Sequence, residues 1–317
     1  MEKLKQQFLE VSDALELGNP AIIEKDYWVV ALLSELAKVS PVYHQMVFSG
    51  GTALAKSNVK ILRMSEDVDI KLIPRQEFGE LSRGQKKAAR KTCIHEIEIA
   101  ITQTERFTVE SRLVRDEYRY VEFELRYPQQ FSQAPCLRPI IKLELIETIP
   151  LLDVEPRPIQ SLVAELYRKP QEVKAFDCVS IQATLVEKVI SMLRRTMSVK
   201  RDTQRKDDAT LVRHIYDVYC ILKTEAQLEN FDLTAMTALF NTVLKEDIDR
   251  FGNQHAEFVA NPKQELQLGL KELEDNPVFR QRFQDFVTPM VFNTEPHDFD
   301  TCFASFKRIA ASLIEKI

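Results

Sequence analysis

Nothing in this chain constrains its fold as tightly as Asp67-Val68-Asp69-Ile70-Lys71-Leu72, where charged and apolar residues alternate without interruption. That period belongs to a β-strand, so Val68, Ile70 and Leu72 line a buried face while Asp67 and Asp69 share the other. Upstream, Met46 to Ser49 reads as a second strand, and it runs into Gly50-Gly51. Two glycines let the backbone turn tightly and bring bare amides close to a ligand, and Thr52 to Ser57 begins a short helix behind them. Phosphate is the natural guest of such a turn. Two carboxylates on one strand face repel each other unless a cation joins them.

Hard oxygen ligands from one or two aspartates, completed by a substrate's phosphates, are the usual setting for Mg²⁺. Two such ions clamp both the attacking and the leaving oxygen of a nucleotidyl displacement. Together the two blocks read as a nucleotidyltransferase site. A third carboxylate is expected on a neighbouring strand, and Glu144 in Pro139-Ile140-Ile141-Lys142-Leu143-Glu144-Leu145-Ile146 fills that role, with Ile141, Leu143 and Leu145 on the opposite face. Taken alone, Asp-x-Asp is more often a pair of strand-edge acids that blunt aggregation, and Glu144 alone fits a solvated strand face equally well. The glycines upstream are what separate this pattern from those readings.

The remaining pattern predicts an α+β class, with a nucleotidyltransferase-like mixed sheet flanked by helices and a mostly helical C-terminal domain. Residues 2–18 and 20–38 read as helices, the second opened by Asn19-Pro20 as cap and first turn. Trp28 is expected in the core, and Lys25 and Asp26, although they could reach the site, as an exposed pair or a structural anchor. A helix over 77–104 and strands over 107–113, 119–127 and 138–146 follow. Pro150, Pro156, Pro158 and Pro170 mark the expected boundary, giving a sheet-containing domain over 1–155 and a helical domain over 156–317. In the first helix after Val179, Ile181, Leu185, Val189 and Met192 form one stripe, and Thr184, Lys188, Ser191 and Arg195 another. The polar stripe faces either water or a cleft. Arg213 and Asp217, four apart, suit an exposed ion pair, or an acid aimed at a nucleotide.

With these blocks in order, the chain resembles the AbiEii/AbiGii abortive-infection toxin family of the DNA polymerase beta-like nucleotidyltransferase superfamily. The resemblance rests on Ile23-Glu24-Lys25-Asp26-Tyr27-Trp28, the Gly-Gly and Asp-x-Asp blocks, Thr184-Leu185-Val186-Glu187-Lys188, and Arg213-His214-Ile215-Tyr216-Asp217-Val218-Tyr219. It spans about residues 20 to 225. It implies a nucleoside triphosphate (NTP) substrate with Mg²⁺, and service as the toxin of a two-gene system with an antitoxin encoded beside it. Some relatives modify the acceptor end of tRNA. By position, Ser49, Gly50, Gly51 and Thr52 would hold the triphosphate, Asp67 and Asp69 the metals, and Lys188 and Asp217 would complete the site. Relatives often carry an acid where this chain has His214.

Composition agrees without identifying the chemistry. The 317 residues, 44% hydrophobic with 7 glycines, can bury a large core and argue against a many-turned β protein. Five cysteines, Cys93, Cys136, Cys178, Cys220 and Cys302, lack disulfide or zinc spacing, and the five histidines show no metal-ligand spacing. There is no signal-peptide pattern and no run near the ~20 apolar residues of a membrane span, so a soluble, cytoplasmic protein is expected. A net charge of −5 requires any RNA contact to use a local basic patch. The candidates are Arg83, Lys86, Lys87, Arg90 and Lys91 on one helix face, and the loop-like stretch Arg194, Arg195, Lys200, Arg201, Arg205 and Lys206, the second being favoured.

The resulting expectation is transfer of a nucleoside monophosphate from an NTP to an acceptor such as RNA or tRNA. Glu144 orients or deprotonates the acceptor hydroxyl, and Lys188 neutralises charge on the leaving pyrophosphate. Two alternatives differ in class: a nucleotide-binding sensor or regulatory subunit without catalysis, and the same chemistry on a protein or small-molecule acceptor.

Overall fold

The computed structural model describes residues 2–57, 59, 61–132, 137–148, 154–228, 233–291 and 297–317. Cys136 and Pro150 lie outside them. The elements in chain order are helices α1 (Glu2–Ala14) and α2 (Pro20–Leu36), strand β1 (His44–Ser49), helix α3 (Gly50–Ala55), strand β2 (Asp67–Pro74), helices α4 (Gln76–Gly79) and α5 (Arg83–Thr102), and strands β3 (Thr108–Arg115), β4 (Tyr120–Arg126), β5 (Ile141–Glu147) and β6 (Val154–Ile159). Helix α6 (Leu162–Leu166) and strand β7 (Val173–Val179) complete the sheet region. Helices α7 (Ile181–Arg201), α8 (Arg213–Leu228), α9 (Leu233–Phe251), α10 (Ala256–Ala260), α11 (Pro262–Asp275), α12 (Val278–Phe286) and α13 (Phe299–Ile314) follow. None of the helices among the described residues is long and apolar enough to cross a membrane.

The chain divides into two compact units. The first comprises residues 1–58, 64–150 and 154–179, the second residues 59–63, 151–153 and 180–317. The sheet-bearing unit thus runs on to residue 179, past the division expected at 155/156. Strand β6 carries Pro156 and Pro158, which mark the expected boundary in sequence, yet it forms the last strand of the sheet. An edge strand tolerates proline because one side of its backbone has no ladder to break.

The seven strands of that unit lie in the order β3-β4-β5-β2-β1-β7-β6. The β2/β5 and β1/β7 pairs are parallel and the other pairs antiparallel, so the sheet is mixed, as its pattern predicts. Alternation in β2 and β5 sends Val68, Ile70, Leu72, Ile141, Leu143 and Leu145 into one core with Trp28, Val29, Leu33 and Leu36 of α2 and Ile94, Ile97 and Ile101 of α5. Asp67, Asp69, Lys142 and Glu144 are consequently left on the opposite face. Asn19 caps α2 through the Ala21 amide, with Pro20 in the first turn. The helix expected over 77–104 is two: α4 stops at Gly79, and Ser82 opens α5 with a reciprocal capping box to Gln85.

In the second unit α7 is the central helix, packing on α8, α9 and α11. At Gly269 of α11 a Cβ would stand 2.8 Å from the Leu193 carbonyl oxygen of α7, so only glycine lets these two helices approach so closely. Helix α7 runs through Arg201, so much of the stretch read as loop-like is helical.

Candidate active site

The sheet unit brings the glycine turn and the acid strand together. Gly50 follows β1 with φ of +78°, a conformation that side chains with a Cβ rarely adopt. A Cβ at that position would overlap Oδ2 of Asp69. Glycine is therefore required twice over, for the turn and for the carboxylate pressed against it. Strand pairing explains the approach, since β1 and β2 run antiparallel with Ser49 opposite Asp69.

Two hydroxyls stitch the turn to the strand. Ser49 Oγ donates to the main-chain carbonyl of Asp69 at 3.2 Å, and Thr52 Oγ1 to that of Asp67. Both residues are buried. Their hydroxyls set the register between turn and acids, a different task from the triphosphate contact expected of them.

The carboxylates of Asp67 and Asp69 share the sheet face opposite the core, and the parallel β2/β5 register sets Asp69 beside Glu144. Two protein cations lie among these acids. Arg138 pairs with Asp67 through Nη2 and with Glu66 through Nε at 3.0 Å. Lys142 bridges Glu144 at 2.5 Å and Glu122 at 2.9 Å. Burial pushes the Lys142 ammonium down, but its bonds to those two acids outweigh this and hold it charged.

Among the described residues no three His, Cys, Asp or Glu side chains form a cluster able to hold a metal ion by themselves. The donor set nevertheless suits a hard cation. Two carboxylates project from one strand face beside a glycine turn, and an ion of the Mg²⁺ class needs no more than one or two of them when phosphate oxygens supply the rest.

The motif around Lys25 proves to be an anchor. Glu24 accepts from the amides of Gln130 and Phe131, and Asp26 pairs with Lys56 and accepts from the Leu162 amide at 2.7 Å. Lys25 has no exposed surface and donates to Glu66 at 3.2 Å, to the Arg138 carbonyl at 2.7 Å and to the Ile140 carbonyl. Burial pushes its ammonium down, while Glu66 pulls the other way.

Lys188 and Asp217 belong to the helical unit, where they meet a residue the sequence did not single out. Asp217 is fully buried and takes a fork of bonds from Arg63, Nε at 2.6 Å and Nη2 at 2.7 Å, with Lys188 Nζ at 2.7 Å. Burial would raise the Asp217 carboxyl, but the two cations hold it well below the usual range. The exposed pair anticipated with Arg213 does not describe this acid. His214 is driven far below its ordinary value, by burial first and then by the Lys188 charge. The favoured basic stretch is largely matched to acids: Arg194 with Asp247, Arg195 with Asp208, Lys200 with Glu272 and Arg201 with Glu265. On α5, Arg90 is buried and pairs with Glu147, which leaves the first patch without one of its five cations.

Arg63, Glu66 and Arg138 stand outside the site residues expected from sequence. Arg63 and Glu66 flank the acid pair closely in sequence, which was the available signal. Arg138 offered none beyond standing before Pro139.

No curated protein sequence matches the chain. Among solved structures, the nucleotidyltransferase toxin MenT4 from Mycobacterium tuberculosis H37Rv superposes with a TM-score of 0.57 at 16% identity, covering 96% of this chain and 89% of that one. At that identity the likeness establishes the fold. The family model described as nucleotidyl transferase AbiEii toxin, type IV toxin–antitoxin system, matches residues 31–305. The chain belongs to the AbiEii nucleotidyltransferase toxin family of type IV toxin–antitoxin systems.

Proposed function

We propose that the protein transfers a nucleoside monophosphate from an NTP to a hydroxyl of an RNA acceptor, tRNA in particular, with Mg²⁺ held by Asp67 and Asp69. One observation carries this reading: the left-handed turn at Gly50 closes directly onto the Asp69 carboxylate. That contact brings the glycine turn and the acid pair to one place, as a metal-bound triphosphate requires. Bound there, Mg²⁺ would stabilise charge on the phosphate oxygens as the substitution proceeds.

The protein's own groups supply the rest. Gly50 admits the Asp69 carboxylate to the turn, Gly51 would hold the triphosphate, and Ser49 and Thr52 lock the turn to the strand. Glu144 accepts the proton of the attacking hydroxyl. The new bond forms between that oxygen and the α phosphorus, while the bond to the β,γ pair breaks and its electrons leave with pyrophosphate. In the helical unit, Arg63 and Lys188 outnumber Asp217 by one positive charge. A cognate antitoxin is the expected protein partner, and a neighbouring reading frame for a DNA-binding antitoxin would support it.

Incubation with total cellular RNA and NTPs labelled at either the α or the γ phosphate tests the reaction. The α label should enter RNA and the γ label should appear as pyrophosphate. Nucleotide binding without pyrophosphate release would show a sensor instead, and α label on protein would show a different acceptor.

A further inference from the structure

Asp67 carries a protein counter-ion whose position is fixed from below. Lysine presents three donor hydrogens, and the buried ammonium of Lys25 has three acceptors around it: Glu66 Oε2, the Arg138 carbonyl and the Ile140 carbonyl. Glu66, itself buried, accepts both the main-chain amide of Arg138 at 2.9 Å and its Nε at 3.0 Å. The guanidinium so held reaches outward to Asp67 through Nη2. All four residues lie in the sheet unit. Arg138 is two-fifths exposed, whereas Lys25 has no accessible surface.

We infer that Lys25 is a positioning residue which, through Glu66 and the backbone of 138–140, aims Arg138 at Asp67 as a built-in counter-ion that a divalent cation must displace. The inference rests on the proposed metal role of Asp67. Two like-charged aspartates two residues apart are costly without a cation, and Arg138 stands in for one until the metal-bound nucleotide arrives. Asp67 then exchanges one cation for another. Arg138, still gripped by Glu66, stays beside the incoming phosphates. The site loses metal affinity by this arrangement and gains readiness, because the acids need not reorganise on binding.

The compactness of the Lys25 site makes the residue type decisive. An ammonium directs three bonds from one atom, whereas a planar guanidinium spreads its donors in a fork and does not fit three converging acceptors. Lys25→Arg should therefore behave like Lys25→Met rather than like the native chain.

The test is Mn²⁺ uptake, read from the electron paramagnetic resonance signal of the free ion, on the full-length native protein, Arg138→Gln and Lys25→Met. Arg138→Gln should bind Mn²⁺ about 3–10-fold more tightly than the native protein, the size expected from removing one competing, partly exposed counter-ion. Lys25→Met should shift affinity in the same direction, and the double variant should bind no more tightly than Arg138→Gln alone, because both changes act through one contact. Equal affinity in native protein and Arg138→Gln overturns the inference while leaving the metal site standing. No uptake by any of the proteins overturns both the inference and the metal site. Should Lys25→Met fail to fold, the Arg138→Gln comparison still decides whether the counter-ion competes, and Lys25→Gln replaces it for the coupling.

Discussion

The sheet unit and the helical unit each gather acids and cations, and they do so in opposite ways. On the sheet, Asp67 and Glu144 are a fifth to a third exposed and share cations that are themselves partly exposed, Arg138 and Lys142. In the helical unit Asp217 is sealed from solvent between Arg63 and Lys188, which are almost as deeply buried. Exposed charges can exchange partners at little cost, because water compensates each of them. A buried triad cannot, because every missing partner leaves an uncompensated charge in a medium that solvates it poorly. The sheet cluster therefore suits exchange with a metal and a nucleotide, and the Asp217 cluster suits permanence.

The sharpest way to break this contrast is to remove one acid from each side. Asp69→Ala should lower label transfer to RNA by about 10³-fold, since losing a metal ligand forfeits several kcal/mol of transition-state stabilisation. Its melting temperature should barely move. Asp217→Ala should do the reverse in stability, costing about 3–5 kcal/mol by stranding Arg63 and Lys188, as measured by denaturant unfolding. If Asp217→Ala proves as stable as the native chain, the buried triad is not a fixed element of the fold.

Smaller effects sharpen the same comparison. Gly50→Ala, forced into a left-handed backbone against Asp69, should cost about 1–3 kcal/mol and much of the activity. Glu147 accepts from Arg90 at 2.7 and 2.8 Å and pairs with His44 at 3.0 Å. Burial would raise its carboxyl, but these partners outweigh it and bring the value down to about 2 from an ordinary 4.5. A depressed carboxylate contributes stability that is whole above the ordinary value and disappears as pH falls toward the depressed one. Melting temperature should accordingly drop between about pH 4.5 and pH 2, and Glu147→Gln should flatten that limb while being less stable at pH 7. At the bottom of the range, Arg195→Ala breaks a pair with Asp208 in which both side chains are more than a third exposed. It should change stability by about 0–1 kcal/mol, within the spread of exposed pairs.

What could be read in the sequence was whatever depends on local order. The alternation over Asp67 to Leu72 fixes a strand and its two faces, the Asn19-Pro20 step fixes a helix start, and the two glycines before Thr52 fix a turn. The family resemblance rests on such blocks, and the family match bears it out. The Ser82/Gln85 capping box was legible too, although reading 77–104 as one helix missed it. Illegible were the partners that arrive from far along the chain. Arg63 lies 154 residues from Asp217, and Arg138 lies 71 from Asp67. No periodicity connects them. Nor could local pattern show that Pro156 and Pro158 sit in a strand, because proline is tolerated there only through the strand's place at the sheet edge.

The decisive fact is where a metal and a triphosphate come to rest. A crystal structure of the protein with Mn²⁺ and a non-hydrolysable NTP analogue, read by anomalous scattering, addresses that directly. The expected result is manganese bonded to oxygens of Asp67 and Asp69, the triphosphate against Gly50 and Gly51, and Arg138 withdrawn from Asp67. Manganese bound elsewhere, or a triphosphate remote from the glycine turn, would contradict it.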